Sequence, residues 1–249
     1  MKNMPEPEII YQDDHFVAIN KPAGLMVHRS PIDRHEKQFA LQMTRDRIRQ
    51  RIFPVHRLDR PTSGVLLFAL NPETAKKTAH LFCSGHIEKT YLAVVRGYLP
   101  DAGIIDHPVK QVKDRYIRRQ GGSDTKRHPA VTQFKCLAKT EIPRAVDKYP
   151  TSRYSLAQLC PKTGRRHQLR QHMKHIFHPI IGDTRYGKSV HNNFFKDQFN
   201  CQRLLLAAVQ MRFVHPETGK ILCLSAALDH SFADIVKQFS WNTGVCDEI

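Results

Sequence analysis

The 249-residue sequence lacks several patterns that would assign it quickly to a class of protein. Its six cysteines are scattered and form no C-x-x-C pair, which argues against a zinc ribbon and a small disulfide framework. No stretch approaches the roughly 18 continuous apolar residues of a membrane span, so we expect no membrane segment. The start of the chain carries no apolar signal-peptide core, and we therefore expect a cytoplasmic protein.

Motifs of several enzyme classes are also missing. The sequence contains neither a P-loop nor a G-x-G-x-x-G fingerprint, so we expect no nucleotide cofactor. It has no H-E-x-x-H helix and no G-x-S-x-G elbow. Asp13 and Asp14 form the only adjacent pair of aspartates, which argues against a metal-dependent nuclease with clustered acids.

Acidic residues are scarce relative to basic ones. The 23 Asp and Glu stand against 39 Lys and Arg, which gives a formal net charge of +16. Such an excess concerns partners rather than fold, and it favours a polyanion such as a nucleic acid. A basic surface that is simply solvated is the alternative.

Four histidines at positions 167, 172, 175 and 178 invite a metal hypothesis. No cysteine or acid stands at a matching spacing, and His167 and His172 do not share a helical face. We expect no metal here and interpret these histidines as RNA-facing or packing side chains.

Short helical and strand-like patterns alternate without a regular βαβ rhythm, which favours an α+β fold. The segments IIYQ and FVAIN predict a hairpin, and SGVLLFAL predicts a buried strand. Asn71 is expected to cap the helix PETAKKTAHLFC. QMRFVH and KILCLSA predict a late hairpin, and Ser231 is expected to cap a final helix.

We expect one domain over residues 1–249, with tails at 1–7 and 242–249. Residues 110–128 carry seven Lys and Arg and a Gly-Gly pair. This composition predicts a mobile basic loop or a splayed hairpin.

The segment PKTGRRHQLRQHMKHI predicts a helix that begins near Thr163. Arg166, Arg170 and Lys174 recur at i, i+4 and i+8, so they are expected to share one face. Because the helix follows a strand closely, the arginine nearest the sheet is expected to be half-buried and to need a carboxylate. A solvated charged face is the alternative.

Asp59 lies between Arg57 and Arg60 in HRLDRPTSG, directly before the predicted buried strand. We expect a charge-assisted pair to hold it ionised. A salt bridge that only ties a loop is the alternative. The sequence offers no competing acid pair for acid–base chemistry. An enzyme that acts on nucleic acid without metal or cofactor would therefore depend on this carboxylate.

Four segments resemble, in the same order, the motifs of the RluA-type pseudouridine synthases. They are NKPAGLMVH (20–28), HRLDRPTSG (56–64), KTYLAVVRG (89–97) and TGRRHQLRQHMKHIFHPIIGD (163–183). We predict a pseudouridine synthase catalytic domain of α+β class, with a mixed, mostly antiparallel sheet, flanking helices and a basic cleft. Many relatives carry an N-terminal S4 RNA-binding domain, and we expect none here.

The resemblance implies a role for particular residues. Asp59 would be the catalytic carboxylate, and Arg57 would enter the RNA where the target base leaves the stack. Tyr91 would lie against the flipped uracil, and Arg170 would pair with the catalytic acid. A further set is expected to bind RNA: Arg60, Arg165, Arg166 and His167.

The implied activity is that of an isomerase, which converts uridine to pseudouridine without a metal or cofactor. Whether the carboxylate attacks C1′, attacks C6 or abstracts the 2′ proton stays open. The stretch VHRSPIDRHE (27–36) is most similar to members that modify the uridine at tRNA position 65. The alternatives are a ribosomal RNA pseudouridine synthase and a non-catalytic RNA-binding protein. We expect a monomer whose partner is structured RNA, above all tRNA.

Overall fold

The computed structural model describes residues 4–29, 37–111 and 126–244. The strands in these ranges are β1 (Glu8–Gln12), β2 (Phe16–Lys21), β3 (Phe53–Pro54), β4 (Ser63–Ala69), β5 (Glu88–Arg96), β6 (Ala102–Asp106), β7 (Val109–Lys110), β8 (Arg127–His128), β9 (Val131–Ile142), β10 (Ser152–Pro161), β11 (Leu206–Val214) and β12 (Ile221–Ser225). The helices are α1 (Ala40–Ile48), α2 (Pro72–Cys83), α3 (Gln168–His175), α4 (Ser189–Phe199) and α5 (His230–Gln238). Within these ranges no helix is long and apolar enough to cross a membrane.

Ten of the strands form one large sheet in the order β1-β2-β4-β11-β5-β10-β9-β6, with β12 paired to β11 and β3 to β4, whereas β7 and β8 form a separate two-stranded sheet. The β4–β11 pair is parallel, and the other pairs are antiparallel. Only glycine fits at Gly64, because a Cβ there would lie 2.0 Å from the Ala208 carbonyl oxygen. The predicted α+β fold with a mixed, mostly antiparallel sheet is confirmed.

The central strands are buried on both faces, since helices cover each side of the sheet. On β5, Val94 packs in the same core as Phe195 of α4. Its neighbour Val95 points to the other face and packs in the core that contains Leu169 and Met173 of α3. Burial on both faces explains why β4 and residues 92–95 of β5 are continuous apolar runs instead of alternating ones.

Several predicted elements are confirmed. The first hairpin is β1–β2 and the late one is β11–β12. All seven residues of β4 are buried. Asn71 caps α2, since its Oδ1 accepts the N–H of Thr74 at 2.8 Å.

The predicted start of two helices is wrong. Helix α5 begins at His230, and its cap is Asp229 instead of Ser231, because the Asp229 carboxylate accepts the N–H of Phe232. Helix α3 begins at Gln168 instead of near Thr163. The Gln168 side-chain carbonyl accepts the N–H of Arg165 and the Thr163 hydroxyl, which holds the preceding residues in a turn.

The late start of α3 is inconsistent with the predicted helix face shared by Arg166, Arg170 and Lys174. Arg166 lies before the helix, Arg170 is buried and Lys174 is exposed. The three side chains therefore do not share a solvent-facing surface.

Part of the predicted basic loop at 110–128 lies outside the described residues, as do residues 245–249 of the predicted C-terminal tail. The described ends of the loop, β7 and β8, pair antiparallel with Val109 opposite His128.

Helix α3 ends in a Schellman motif that has an aromatic residue where glycine is usual. The N–H of His178 donates to the Met173 carbonyl at 2.9 Å, and that of Phe177 donates to the Lys174 carbonyl at 3.0 Å. Phe177 takes the left-handed backbone of the C′ position, with φ of 65°. Its side chain is 81% exposed, so it contributes little to the core.

We expect Phe177→Gly to raise the free energy of unfolding by about 1 kcal/mol, because glycine adopts the left-handed conformation without a Cβ clash. Urea denaturation measures the change. Phe177→Ala is the matched control, since it removes the ring but keeps the Cβ, and its stability should stay close to that of the wild type. A less stable Phe177→Gly protein would mean that packing of the exposed ring outweighs the backbone strain.

Candidate active site

A cleft of about 550 Å³ lies beside the loop that precedes β4. Segments from distant parts of the chain line it: residues 55–59, 161–165 and 167–170, together with Thr62, Phe82, Cys83, Lys89, Tyr91 and Leu206. The cleft thus joins the loop before β4, one face of β5 and the turn between β10 and α3.

Six of the eight residues predicted to act at the site line this cleft: Arg57, Asp59, Tyr91, Arg165, His167 and Arg170. The other two predicted residues, Arg60 and Arg166, do not line the cleft. Arg60 is exposed, and its Nε donates to the Gly24 carbonyl at 3.0 Å. The structure therefore brings together residues more than 100 positions apart in the sequence, and it leaves two of the predicted arginines outside the lining of the cleft.

The loop that carries Asp59 is held by its backbone. The Asp59 carbonyl accepts the N–H of Thr62 at 3.0 Å, and the Arg60 carbonyl accepts the N–H of Gly24 at 2.8 Å. The buried ammonium of Lys21 also donates to the Arg60 carbonyl at 3.2 Å. Because these contacts fix the loop, the Asp59 side chain is not needed to tie it.

Lys21 was not among the predicted site residues. Its ammonium is fully buried and also donates to the carbonyls of Pro22 and Leu25, both at 2.9 Å. Burial, and after it the nearby charge of Arg203, lowers the pKa of Lys21 to about 7. The signal in the sequence is a lysine that directly ends an apolar strand, before the turn PAG.

The Asp59 carboxylate points into the cleft between two side chains of the α3 segment. Its Oδ2 lies 3.4 Å from Nη1 of Arg170 and 3.7 Å from Nε2 of His167. The Asp59 side chain is 17% exposed, so it stays accessible to a ligand in the cleft. A carboxylate in this setting can serve as a nucleophile or as a base.

Arg170 is anchored from behind by a second acid, Asp183. Its Nε and Nη2 donate to the two carboxylate oxygens of Asp183 at 2.7 and 2.8 Å. The Asp183 side chain is fully buried, and its Oδ1 also accepts the backbone N–H groups of Arg185 and Tyr186. Burial alone would raise the pKa of Asp183, but the hydrogen bonds from Arg170 and the backbone outweigh it and hold the pKa below its usual value.

Sequence reasoning predicted a carboxylate partner for Arg170 but missed Asp183. Two signals could have indicated it: Asp183 ends the motif of residues 163–183, and it directly follows the apolar run PIIG, where an acid needs a buried partner.

His167 stands beside Asp59 as a neutral imidazole. Burial lowers its pKa to about 4, even though the Asp59 charge acts in the opposite direction. Its Nδ1 lies 3.1 Å from the Tyr186 hydroxyl, and its backbone is left-handed with φ of 57°. The ring of Tyr186 in turn lies under the Arg170 guanidinium, at 5.2 Å.

Tyr91 supplies an aromatic surface to the cleft from β5. Burial, and after it the negative charge of Asp59, raises the pKa of its hydroxyl well above the usual value. The phenol is therefore neutral, and its ring can lie against a planar base.

The other histidines of the α3 region contact protein groups, although His175 itself is exposed. His172 is buried and contacts the Thr132 hydroxyl and the His107 carbonyl, whereas His175 stacks on the ring of His107 at 3.6 Å. His178 lies 2.8 Å from the Arg96 carbonyl. Across the part of the chain that the structure describes, no three His, Cys, Asp or Glu side chains are placed to share a metal ion.

Residues 15–175 match the model of the RNA pseudouridylate synthase family. The chain is 48% identical to tRNA pseudouridine synthase C of Vibrio parahaemolyticus, over 95% of this chain and 96% of that protein. It is 49% identical to the protein of the same name from Pasteurella multocida, over 94% and 97% of the two chains. Human RNA pseudouridylate synthase domain containing 4 has a similar structure, with a TM-score of 0.69, 25% identity and 94% of each chain covered. The chain therefore belongs to the RNA pseudouridylate synthase family, as its motifs predict.

Proposed function

We propose that this protein converts a specific uridine of a tRNA into pseudouridine. The observation that carries the proposal is the accessible Asp59 carboxylate in a cleft with Tyr91, next to an arginine that a buried acid holds in place. Relatives named tRNA pseudouridine synthase C, at 48% and 49% identity, favour tRNA over ribosomal RNA as the substrate. The cleft and its carboxylate also favour an enzyme over a non-catalytic RNA-binding protein.

The target base must leave its stack to reach Asp59. Extrusion costs a few kcal/mol of stacking and pairing. Arg57 is exposed at the cleft and can fill the gap that the base leaves in the RNA. The ring of Tyr91 can then replace the lost stacking on one face of the uracil.

The isomerisation rearranges bonds within one nucleotide. The N1–C1′ bond breaks and C1′ joins C5; C5 then loses its hydrogen and N1 gains one, so no co-reactant is consumed. Asp59 can attack C1′ or C6, or remove the 2′ proton, and each route needs a carboxylate beside the extruded nucleotide. Arg170 balances the charge of this carboxylate, while neutral His167 offers a hydrogen-bonding group beside it.

The proposal extends to the uridine at tRNA position 65. It rests on the resemblance of VHRSPIDRHE, of which residues 30–36 lie outside the described residues. We further propose that the chain is one catalytic domain that acts as a cytoplasmic monomer. The sheet supports a single domain, since strands from both ends of the chain lie in it.

The test is to map pseudouridine in the tRNA and ribosomal RNA of cells with and without this protein. We expect loss of one tRNA signal, at position 65, and its formation in an unmodified tRNA transcript treated with the purified protein. Loss of a ribosomal signal instead would assign the substrate to ribosomal RNA. Unchanged maps and an unmodified transcript would contradict the isomerase.

A further inference from the structure

Two lysines that are not among the predicted site residues also line the cleft. They are Lys89 and Lys162, and the same lining includes Phe82 and Cys83 of α2. The mechanism proposed above uses neither lysine.

The strand register explains why both ammonium groups reach the cleft. Lys89 lies two residues before Tyr91 on β5, so both side chains point to the same face, about 7 Å apart along the strand. The neighbouring strand β10 pairs Leu159 with Tyr91 and ends at Pro161. Lys162 follows directly, lines the same cleft and lies close enough to Lys89 for their charges to interact.

The described residues give neither lysine a side-chain partner of opposite charge. The nearest acid in sequence, Glu88, points to the opposite face of β5 and pairs with Arg212. Burial, and after it the ammonium of Lys162, holds the pKa of Lys89 below its usual value. The two cations thus repel one another, and an anion between them would remove that repulsion.

We propose that Lys89 and Lys162 form a phosphate subsite, which binds the RNA backbone phosphate that adjoins the extruded uridine. This inference rests on the proposed function, because Tyr91 holds the base. A lysine side chain based about 7 Å from Tyr91 can reach the backbone of the same nucleotide or its neighbour. Lysine suits this role as a mobile point charge that contacts phosphate without reading sequence.

The experiment measures the affinity of an unmodified tRNA transcript over a salt series, in an Asp59→Asn background so that no product forms. Replacing both lysines by glutamine is expected to raise Kd about tenfold and to lower the slope of log Kd against log salt by about 1, the value for one lost phosphate contact. In the otherwise wild-type enzyme, the same pair of substitutions should raise KM and leave kcat within about threefold.

Two controls are matched to this change. Replacing both lysines by arginine keeps the charge and should preserve the salt slope. Lys237→Gln removes an exposed lysine from α5, whose Phe232 and Ile235 pack on the other face of the sheet, and should change neither quantity. Lys162 is itself exposed, so its single variant tests the subsite even if Lys89→Gln folds poorly.

An unchanged Kd and salt slope would overturn the subsite, as would a fall in kcat at unchanged Kd. Failure of the proposed function has a different signature. If the wild-type protein leaves tRNA unmodified but the salt slope still falls, the two lysines contact an RNA phosphate, and it is the isomerase assignment that is overturned.

Discussion

Asp59→Asn is expected to abolish pseudouridine formation while it leaves the fold and RNA binding nearly intact. Asparagine keeps the shape of the side chain but lacks the charge, basicity and nucleophilicity of the carboxylate. Attack at C1′, attack at C6 and removal of the 2′ proton all depend on these properties. The single-turnover rate should fall by at least about 10⁴-fold. The Kd for tRNA should change by no more than about tenfold, or roughly 1.4 kcal/mol, because binding draws on many phosphate contacts.

The control for this variant is Asp197→Asn, which removes one exposed acid from α4 and should isomerise tRNA at the wild-type rate. The backbone contacts and Lys21 already hold the Asp59 loop. We therefore expect Asp59→Asn to change the free energy of unfolding by less than about 1 kcal/mol. If the variant isomerises uridine at a near-normal rate but unfolds more easily, Asp59 is not catalytic and only forms an ion pair that stabilises its loop.

The parts of the fold that local sequence controls could be predicted. Strand β4 is a short apolar run between turn residues, and α2 has both an Asn71 cap and a proline at its first turn. Both elements depend on contacts within a few residues, which the sequence displays directly. The position of Asp59 before β4 follows from the same local pattern.

The parts that depend on distant contacts could not be predicted from local patterns. A buried arginine requires a carboxylate, but its neighbours in the sequence do not say which of the 23 acidic residues it meets. Only the family resemblance indicates Asp59, 111 positions from Arg170, and it does not indicate the second partner, Asp183, 13 positions away. The contact of Lys21 with the Arg60 carbonyl spans 39 positions and is invisible for the same reason.

Asp183→Asn is expected to reduce both stability and turnover, because it leaves the buried Arg170 guanidinium without its main partner. Removing one member of a buried ion pair costs about 3 to 5 kcal/mol, and we expect a loss near 3 because asparagine still accepts a hydrogen bond. Arg170 also loses the clamp that sets its orientation toward Asp59. We expect kcat to fall about 10- to 100-fold with KM nearly unchanged.

The matched control is Asp101→Asn. Asp101 pairs with Lys139 at 2.8 Å on the surface, where the Asp101 side chain is almost fully exposed. Loss of this surface pair should cost no more than about 0.5 kcal/mol and leave kcat unchanged.

The pH dependence of stability gives a second test of Asp183. The pKa of Asp183 in the folded protein lies below its usual 3.8, so the stability that its ion pair contributes is fully present above pH 3.8. The stability difference between wild type and Asp183→Asn should therefore shrink as pH falls through the folded pKa.

A double variant separates the two effects of Asp183. If the stability loss comes from an unpaired buried cation, Arg170→Met combined with Asp183→Asn should recover part of it, since neither charge then remains buried. Turnover should not recover, because Asp59 has then lost the guanidinium that lies 3.4 Å from it. Denaturant unfolding and single-turnover rates of the four proteins in this cycle measure both quantities. Equal stability losses in the single and double variants would contradict the ion-pair explanation, and a kcat near the wild-type value in either would show that Arg170 does not position Asp59.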